Sequence, residues 1–266
     1  MRSRRRIQKR VFSITLIFLI ILTVSVCFGQ VLGNFYLTNI NKETLPSSVE
    51  SNIKIKALRL NKFDYYCVLA GTYTIQEQAL SVGNSLAQKG LPAVISGGSP
   101  YTVLLGFVNN PESLLPLADS IQVDGQKAIV QKGEVNTVSF KFEAKDSFAG
   151  GQVAPFLGSI SVCLNKGLLL YTGVSAHEDT IQQFRPKFSV LALELQDLAK
   201  KGTNLAASEQ AATFAEALSI LALRCRKWAE SLQQLEKQWQ DINILVSQQQ
   251  ALALLEDYGC FLADTN

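Results

Sequence analysis

Two stretches of this chain repeat each other without a gap, the second displaced by 35 residues so that Val103 falls on Val68. Val68, Gly71, Glu77, Leu80, Leu86, Gly90, Ala93 and Gly98 face Val103, Gly106, Glu112, Leu115, Ile121, Gly125, Ala128 and Gly133. Two copies are too few for a solenoid, so the copies must bury their apolar faces against each other. Each begins with a β-rich run and continues with helical spacing: Ile75, Ala79, Val82 and Leu86 in the first, Leu114, Leu117, Ala118 and Ile121 in the second. Gly90 and Gly125 stand where the helices are expected to end, and Ala93-Val94-Ile95 and Ala128-Ile129-Val130 read as the following strands. Two β-α-β units in tandem predict a β-α-β-β-α-β, ferredoxin-like module: a four-stranded sheet with two helices on one face. The set is closed, so residues 60–145 are expected to fold independently.

The run Tyr66-Cys67-Val68-Leu69-Ala70-Gly71-Thr72-Tyr73, the helix after it, Gly90-Leu91-Pro92-Ala93, and Tyr101-Thr102-Val103-Leu104-Leu105-Gly106 together resemble a SPOR (sporulation-related repeat) domain. The resemblance covers residues 62–143. It implies a bacterial protein of the cell wall, division or sporulation, binding peptidoglycan glycan strands stripped of their peptides. It nominates Tyr65, Leu69, Thr72, Tyr73, Tyr101, Thr102 and Leu104 for glycan contact. The chain departs from the family at Leu69, where a Gln is usual. It departs again after Gly106, where Phe107-Val108 replaces Pro-Phe, and at Thr102 and Leu104, which replace basic residues. Strand alternation sends Val68, Ala70, Val103 and Leu105 toward the helices and leaves Cys67, Leu69, Thr102 and Leu104 on the other face. Strands apolar on both sides are usually covered on both sides, so residues 147–176 or a partner protein are expected to cover that face at least in part.

The N-terminus supplies the second constraint. Val11 to Gly29 is a run of 19 uncharged residues, enough to span about 30 Å of hydrocarbon as a helix. Arg2, Arg4, Arg5, Arg6, Lys9 and Arg10 precede it and Lys42 is the first charge after it, which predicts an N-terminus in the cytoplasm and a C-terminus outside. The run is longer than a signal-peptide core and lacks a small-x-small cleavage site. The expected organisation is a basic tail (1–10), a plasma-membrane anchor (11–32), a linker (33–61), the SPOR-like module (62–143) and a helical domain (147–266). Without those six positive charges the net charge falls from +3 to −3, which argues against nucleic acid as a partner.

Beyond residue 147, Ile181, Phe184, Phe188, Leu191, Leu195 and Leu198 recur at helical spacing. So do Phe214, Leu218, Leu221, Cys225, Trp228, Leu232, Leu235, Trp239, Ile242 and Val246. Gly202-Thr203-Asn204 reads as a stop between two helices, the second running unbroken from Leu205 to Tyr258. The stripes predict a helical hairpin, or a three-helix bundle if 150–174 joins it; an apolar seam of this length also suits a helical protein partner. The fold class expected is α+β.

No catalytic set emerges. His177 is the single histidine and no Cys-x-x-Cys occurs, so neither a metal nor another cofactor is expected. Glu77 and Glu112 fall in first helical turns, where carboxylates complement the helix dipole. The chain reads as a non-enzymatic, membrane-anchored binding protein for denuded glycan. The alternative is a membrane-anchored protein-interaction scaffold with a degenerate SPOR-like fold.

Overall fold

A computed structural model describes residues 55–59, 62–135, 139–174 and 178–264. The basic tail, the anchor and His177 lie outside the described residues, as does most of the linker. The end of that linker is a correction: Ile55–Arg59 is a strand, β1.

The repeat region follows. It comprises β2 (Phe63–Tyr73), α1 (Gln76–Gln88), β3 (Val94–Ser96), β4 (Tyr101–Val108), a 3-10 turn (Pro111–Leu114) and α2 (Leu115–Ser120). A hairpin of β5 (Gln122–Val123) and β6 (Gln126–Lys127) leads to β7 (Ile129–Val135) and then β8 (Ser139–Glu143). Four strands form one antiparallel sheet in the order β3-β4-β2-β7. Each copy of the repeat thus places one strand at the centre and one at an edge. The first helix ends at Gly90 as expected. The second is short, because Asn110 caps Pro111–Leu114 by accepting from the Glu112 N–H (3.1 Å) and Pro116 starts a new turn. Gly125 does not end it: Asp124 and Gly125, both at positive φ (52° and 78°), make the tight turn between β5 and β6.

The strand after β7 does not close the module. β8 pairs antiparallel with β1, Ile55 opposite Glu143 and Arg59 opposite Ser139. Phe140 of β8 is buried in a ring cluster with Phe142, Phe214 and Phe261, at centroid distances of 5.6–6.2 Å. This cluster joins the strands to the helices at the expected domain boundary.

After a π-type turn (Ala149–Val153), capped by Asp146 accepting from the Ala149 N–H (2.8 Å), come four long helices. They are α3 (Ala154–Val174), α4 (Glu178–Ala206), α5 (Ala215–Lys237) and α6 (Asp241–Asp264). The architecture is α+β, with a four-helix assembly where a hairpin or three-helix bundle was expected. The predicted stripes do face the core: Phe188, Leu191, Leu195, Leu198, Leu218, Leu221, Cys225, Trp228, Leu232 and Leu235 are buried.

Their boundaries moved. Gly202 lies inside α4, where a Cβ would sit 2.8 Å from the Phe156 ring and 2.9 Å from the Ala222 Cβ. The glycine therefore marks a close crossing of α4 with α3 and α5. The single helix expected from Leu205 to Tyr258 is two, broken at Gln238, whose backbone is extended (φ −132°, ψ 99°). Asn243 donates to the Gln238 carbonyl (2.7 Å) and stabilises that corner. The stripe fails beyond it, leaving Ile242 exposed.

Among the described residues one helical stretch, Ala149–Val174, is long and apolar enough to cross a membrane by length and composition, and more than half of it is buried in the fold. Trp228 is fully buried and donates from Nε1 to the Tyr171 hydroxyl (2.8 Å), which in turn hydrogen-bonds Ser247. Three helices, α3, α5 and α6, are thus tied by one buried polar chain whose members all have partners. Ile53–Asn266 forms a compact unit with a continuous core.

Candidate functional site

The sheet has two faces, and hydrogen bonding identifies which element covers each. On one side Ile95 packs beside Gly83 of α1. Val103 is the cross-strand partner of Ile95 and shares that face. On the other side Ser96 donates to Glu256 of α6 (2.6 Å), and Gln249 of α6 donates to the Ala93 carbonyl (3.0 Å). Ser96 is opposite Thr102 and Thr102 opposite Thr72, so all three share the α6 face. Leu104, opposite both Val94 and Leu69, belongs to the same face.

The face away from α1 is therefore covered, as its low polarity predicted, by α6 in the main and in part by α3 of the 147–176 segment. α3 contributes only near its C-terminal end, where the Thr172 hydroxyl accepts from the Asn109 N–H (3.0 Å). This cover belongs to the core. Ala251, Leu252, Ala253, Leu254 and Leu255 are all buried in succession, so this stretch of α6 is enclosed on every side. The part-buried Arg224–Asp257 ion pair holds α6 to α5 as well.

The nominated residues divide accordingly. Leu104 is buried and Leu69 half-buried beneath α6. Tyr65 packs at a tilt against Phe107 (centroids 5.4 Å apart) and lines a cleft with Leu255, Glu256 and Tyr258. Burial, with smaller contributions from Cys67 and Glu256, raises the Tyr65 pKa, so its hydroxyl stays neutral. Thr72 and Thr102 pair at the end of the ladder, Thr72 exposed and Thr102 half-buried. Tyr73 and Tyr101 pair one position further and, by strand alternation, point to the α1 side. The Tyr73 hydroxyl donates to Asp124 (3.3 Å). The structure thus brings Thr72 with Thr102 and Tyr73 with Tyr101, but on opposite faces, and withdraws Leu69 and Leu104 from solvent.

Glu256, Gln249 and Ser96 were not singled out from the sequence. The signal available was Gln248-Gln249-Gln250, a polar triplet inside an apolar helix, which marks a helix that must answer polar groups on a neighbour.

The chemistry on offer is limited. Lys132 bridges Asp64 (2.8 Å) and Glu134 (3.1 Å), and Lys62 also reaches Glu134 (3.4 Å), so these strand charges neutralise one another. Cys67 lies under α6 near Glu256; burial first and that carboxylate second push its thiol up to about 12, so it carries no thiolate at neutral pH. Among the described residues no group of three or more His, Cys, Asp or Glu is gathered to hold a metal ion. Compared with known proteins, the chain matches no family model, no curated sequence and no solved structure.

Proposed function

We propose that this chain is a membrane-anchored, non-enzymatic scaffold on the outer side of the bacterial plasma membrane, built on a degenerate SPOR-like module and serving the cell wall in division or sporulation. Support for the module is the ferredoxin-like element order β2-α1-β3-β4-α2-β7 with sheet order β3-β4-β2-β7, assembled from the two copies of the repeat. One observation carries the scaffold role: α6 occupies the sheet face that a binding module of this topology leaves open. A surface consumed by the protein's own core is not available to a glycan strand.

A second reading, direct binding of denuded glycan, is favoured by the exposed end of the β2–β4 ladder. There Thr72 and Thr102 offer hydroxyls on the α6 side, and Tyr73 and Tyr101 offer half-buried rings on the α1 side. Cosedimentation of residues 33–266 with amidase-treated peptidoglycan separates the two. The scaffold reading expects the protein to stay in the supernatant. Retention in the pellet that is lost on Thr72→Ala with Tyr101→Ala replaces it with the glycan reading.

A further inference from the structure

The covered sheet leaves a different surface without a partner. On the outside of the bundle, α3 and α4 run side by side and enclose two grooves of about 500 and 430 Å3, which meet at the Lys166–Glu194 ion pair (2.6 Å). Val162 and Leu169 on α3 and Val190 on α4 line these grooves and stand 49–56% exposed, and Leu193, one helical turn beyond Val190 on α4, is 59% exposed. α3 is the same helix whose length and composition suit a membrane. Its buried half serves the core, and its outer half presents apolar side chains to solvent. Three large apolar residues in the grooves, with Leu193 on the ridge beside them, call for an occupant.

Charge and chain length point to which one. Lys166, Lys187 and Lys201 line the grooves against Glu194 and Asp197, an excess of one positive charge, and Lys200 adds another where it pairs with Asp197 (3.7 Å). The chain beyond its first ten residues carries −3, so this face is basic on an otherwise acidic body. Residues 33–54 separate the apolar N-terminal run from β1. Even fully extended, at about 3.3–3.6 Å per residue, those 22 residues hold the fold within about 75 Å of the bilayer.

We propose that the α3–α4 face is a membrane-contact surface. The lysine rim takes anionic lipid headgroups, and Val162, Leu169, Val190 and Leu193 enter the headgroup–acyl boundary. The inference rests on the reading of residues 11–32 as an anchor, yet the surface acts without it, which allows a separate test. Residues 53–266 form a compact unit with its own core, so this fragment is used without the anchor.

Flotation with phosphatidylcholine vesicles containing one quarter phosphatidylglycerol is compared with pure phosphatidylcholine vesicles. Expected is recovery with the anionic vesicles that falls with salt. Leu169→Glu with Leu193→Glu should lower the bound fraction about tenfold, since each half-exposed leucine carries a good part of its transfer free energy. Lys187→Glu with Lys201→Glu should abolish the preference for anionic lipid. All four positions are exposed, and unchanged circular dichroism and melting confirm the fold of each variant. Absence of flotation overturns the proposal. So does a concentration-dependent dimer in sedimentation that the leucine variants dissolve while vesicles are ignored, because the face would then belong to a second copy. Neither result bears on glycan cosedimentation, so the scaffold reading stands or falls separately.

Discussion

Cys67, Cys163 and Cys225 are buried side chains whose thiols burial raises to about 12, with Glu256, Glu194 and Cys163 respectively adding to the effect. Cys260 is exposed at the end of α6. In the native state iodoacetamide should therefore modify Cys260 and spare those three until the chain is unfolded, as read by peptide mass spectrometry; native labelling of Cys67 would show that α6 leaves the sheet. The same shifts set an alkaline limit on stability. A buried thiol keeps its proton in the fold while the unfolded chain releases it near 9, so the unfolded state binds fewer protons above that pH. Unfolding free energy should fall as pH rises from 9 toward 12, by at most about 1.4 kcal/mol per pH unit for each thiol, and these groups should not affect it below that window. Urea titrations at pH 7.5 and pH 10 check the sign. The two tryptophans separate in the same way. Trp228 is fully buried and hydrogen-bonded to Tyr171, so Trp228→Ala should cost about 3–5 kcal/mol. Trp239, half-buried against Phe188 (centroids 5.8 Å apart), should cost clearly less, although both sat on one predicted stripe.

At the scale of elements, apolar spacing told which residues face inward and failed to tell where helices stop. The stripe from Leu218 to Leu235 is buried without exception because side-chain spacing is a local property of one helix. Gly202 was read as a stop because glycine's backbone freedom is also local. Its actual role depends on Phe156 and Ala222, which come from distant parts of the chain. The break at Gln238 has no glycine or proline to announce it and is held by the Asn243 side chain. The β1–β8 pair was equally hidden, since its paired residues are 80–88 positions apart in sequence. The repeat, by contrast, gave the whole four-stranded sheet, because its signal is correspondence between copies and does not depend on propensity. Gly202→Ala measures the difference. A glycine merely tolerated inside α4, with open space around it, would gain about 1 kcal/mol from the alanine. As a crossing point it should lose about 1–3 kcal/mol to overpacking against Phe156 and Ala222, and a lowered urea midpoint is expected. Gly106→Ala should also destabilise, since the residue holds φ +75° within β4 and its Cβ would lie 2.7 Å from Leu114.

At the scale of the whole molecule, α6 reverses one expectation about folding units. The repeat alone suggested that residues 60–145 would fold by themselves. In the structure Cys67, Val94, Leu104 and Phe107 are buried within a sheet whose second face lies under α6. Excising the module strips that face. Re-exposing even two or three large apolar side chains, at about 1.5–3 kcal/mol each, would consume most of the stability available to a domain of this size. The fragment 62–143 should therefore melt without a cooperative transition or associate through its bare sheet, whereas residues 53–266 should unfold in one transition with matching calorimetric and van't Hoff enthalpies. Ending the chain before Asp241 should resemble the fragment, because it removes the cover and leaves Trp228, Tyr171 and the sheet without their shared neighbour. Scanning calorimetry on the three chains decides it. A fragment 62–143 that melts cooperatively near the midpoint of the longer chain would mean that the cover is dispensable. The sheet face would then be a binding surface held in reserve, and the case for a scaffold would give way to one for a glycan-binding module that α6 shields.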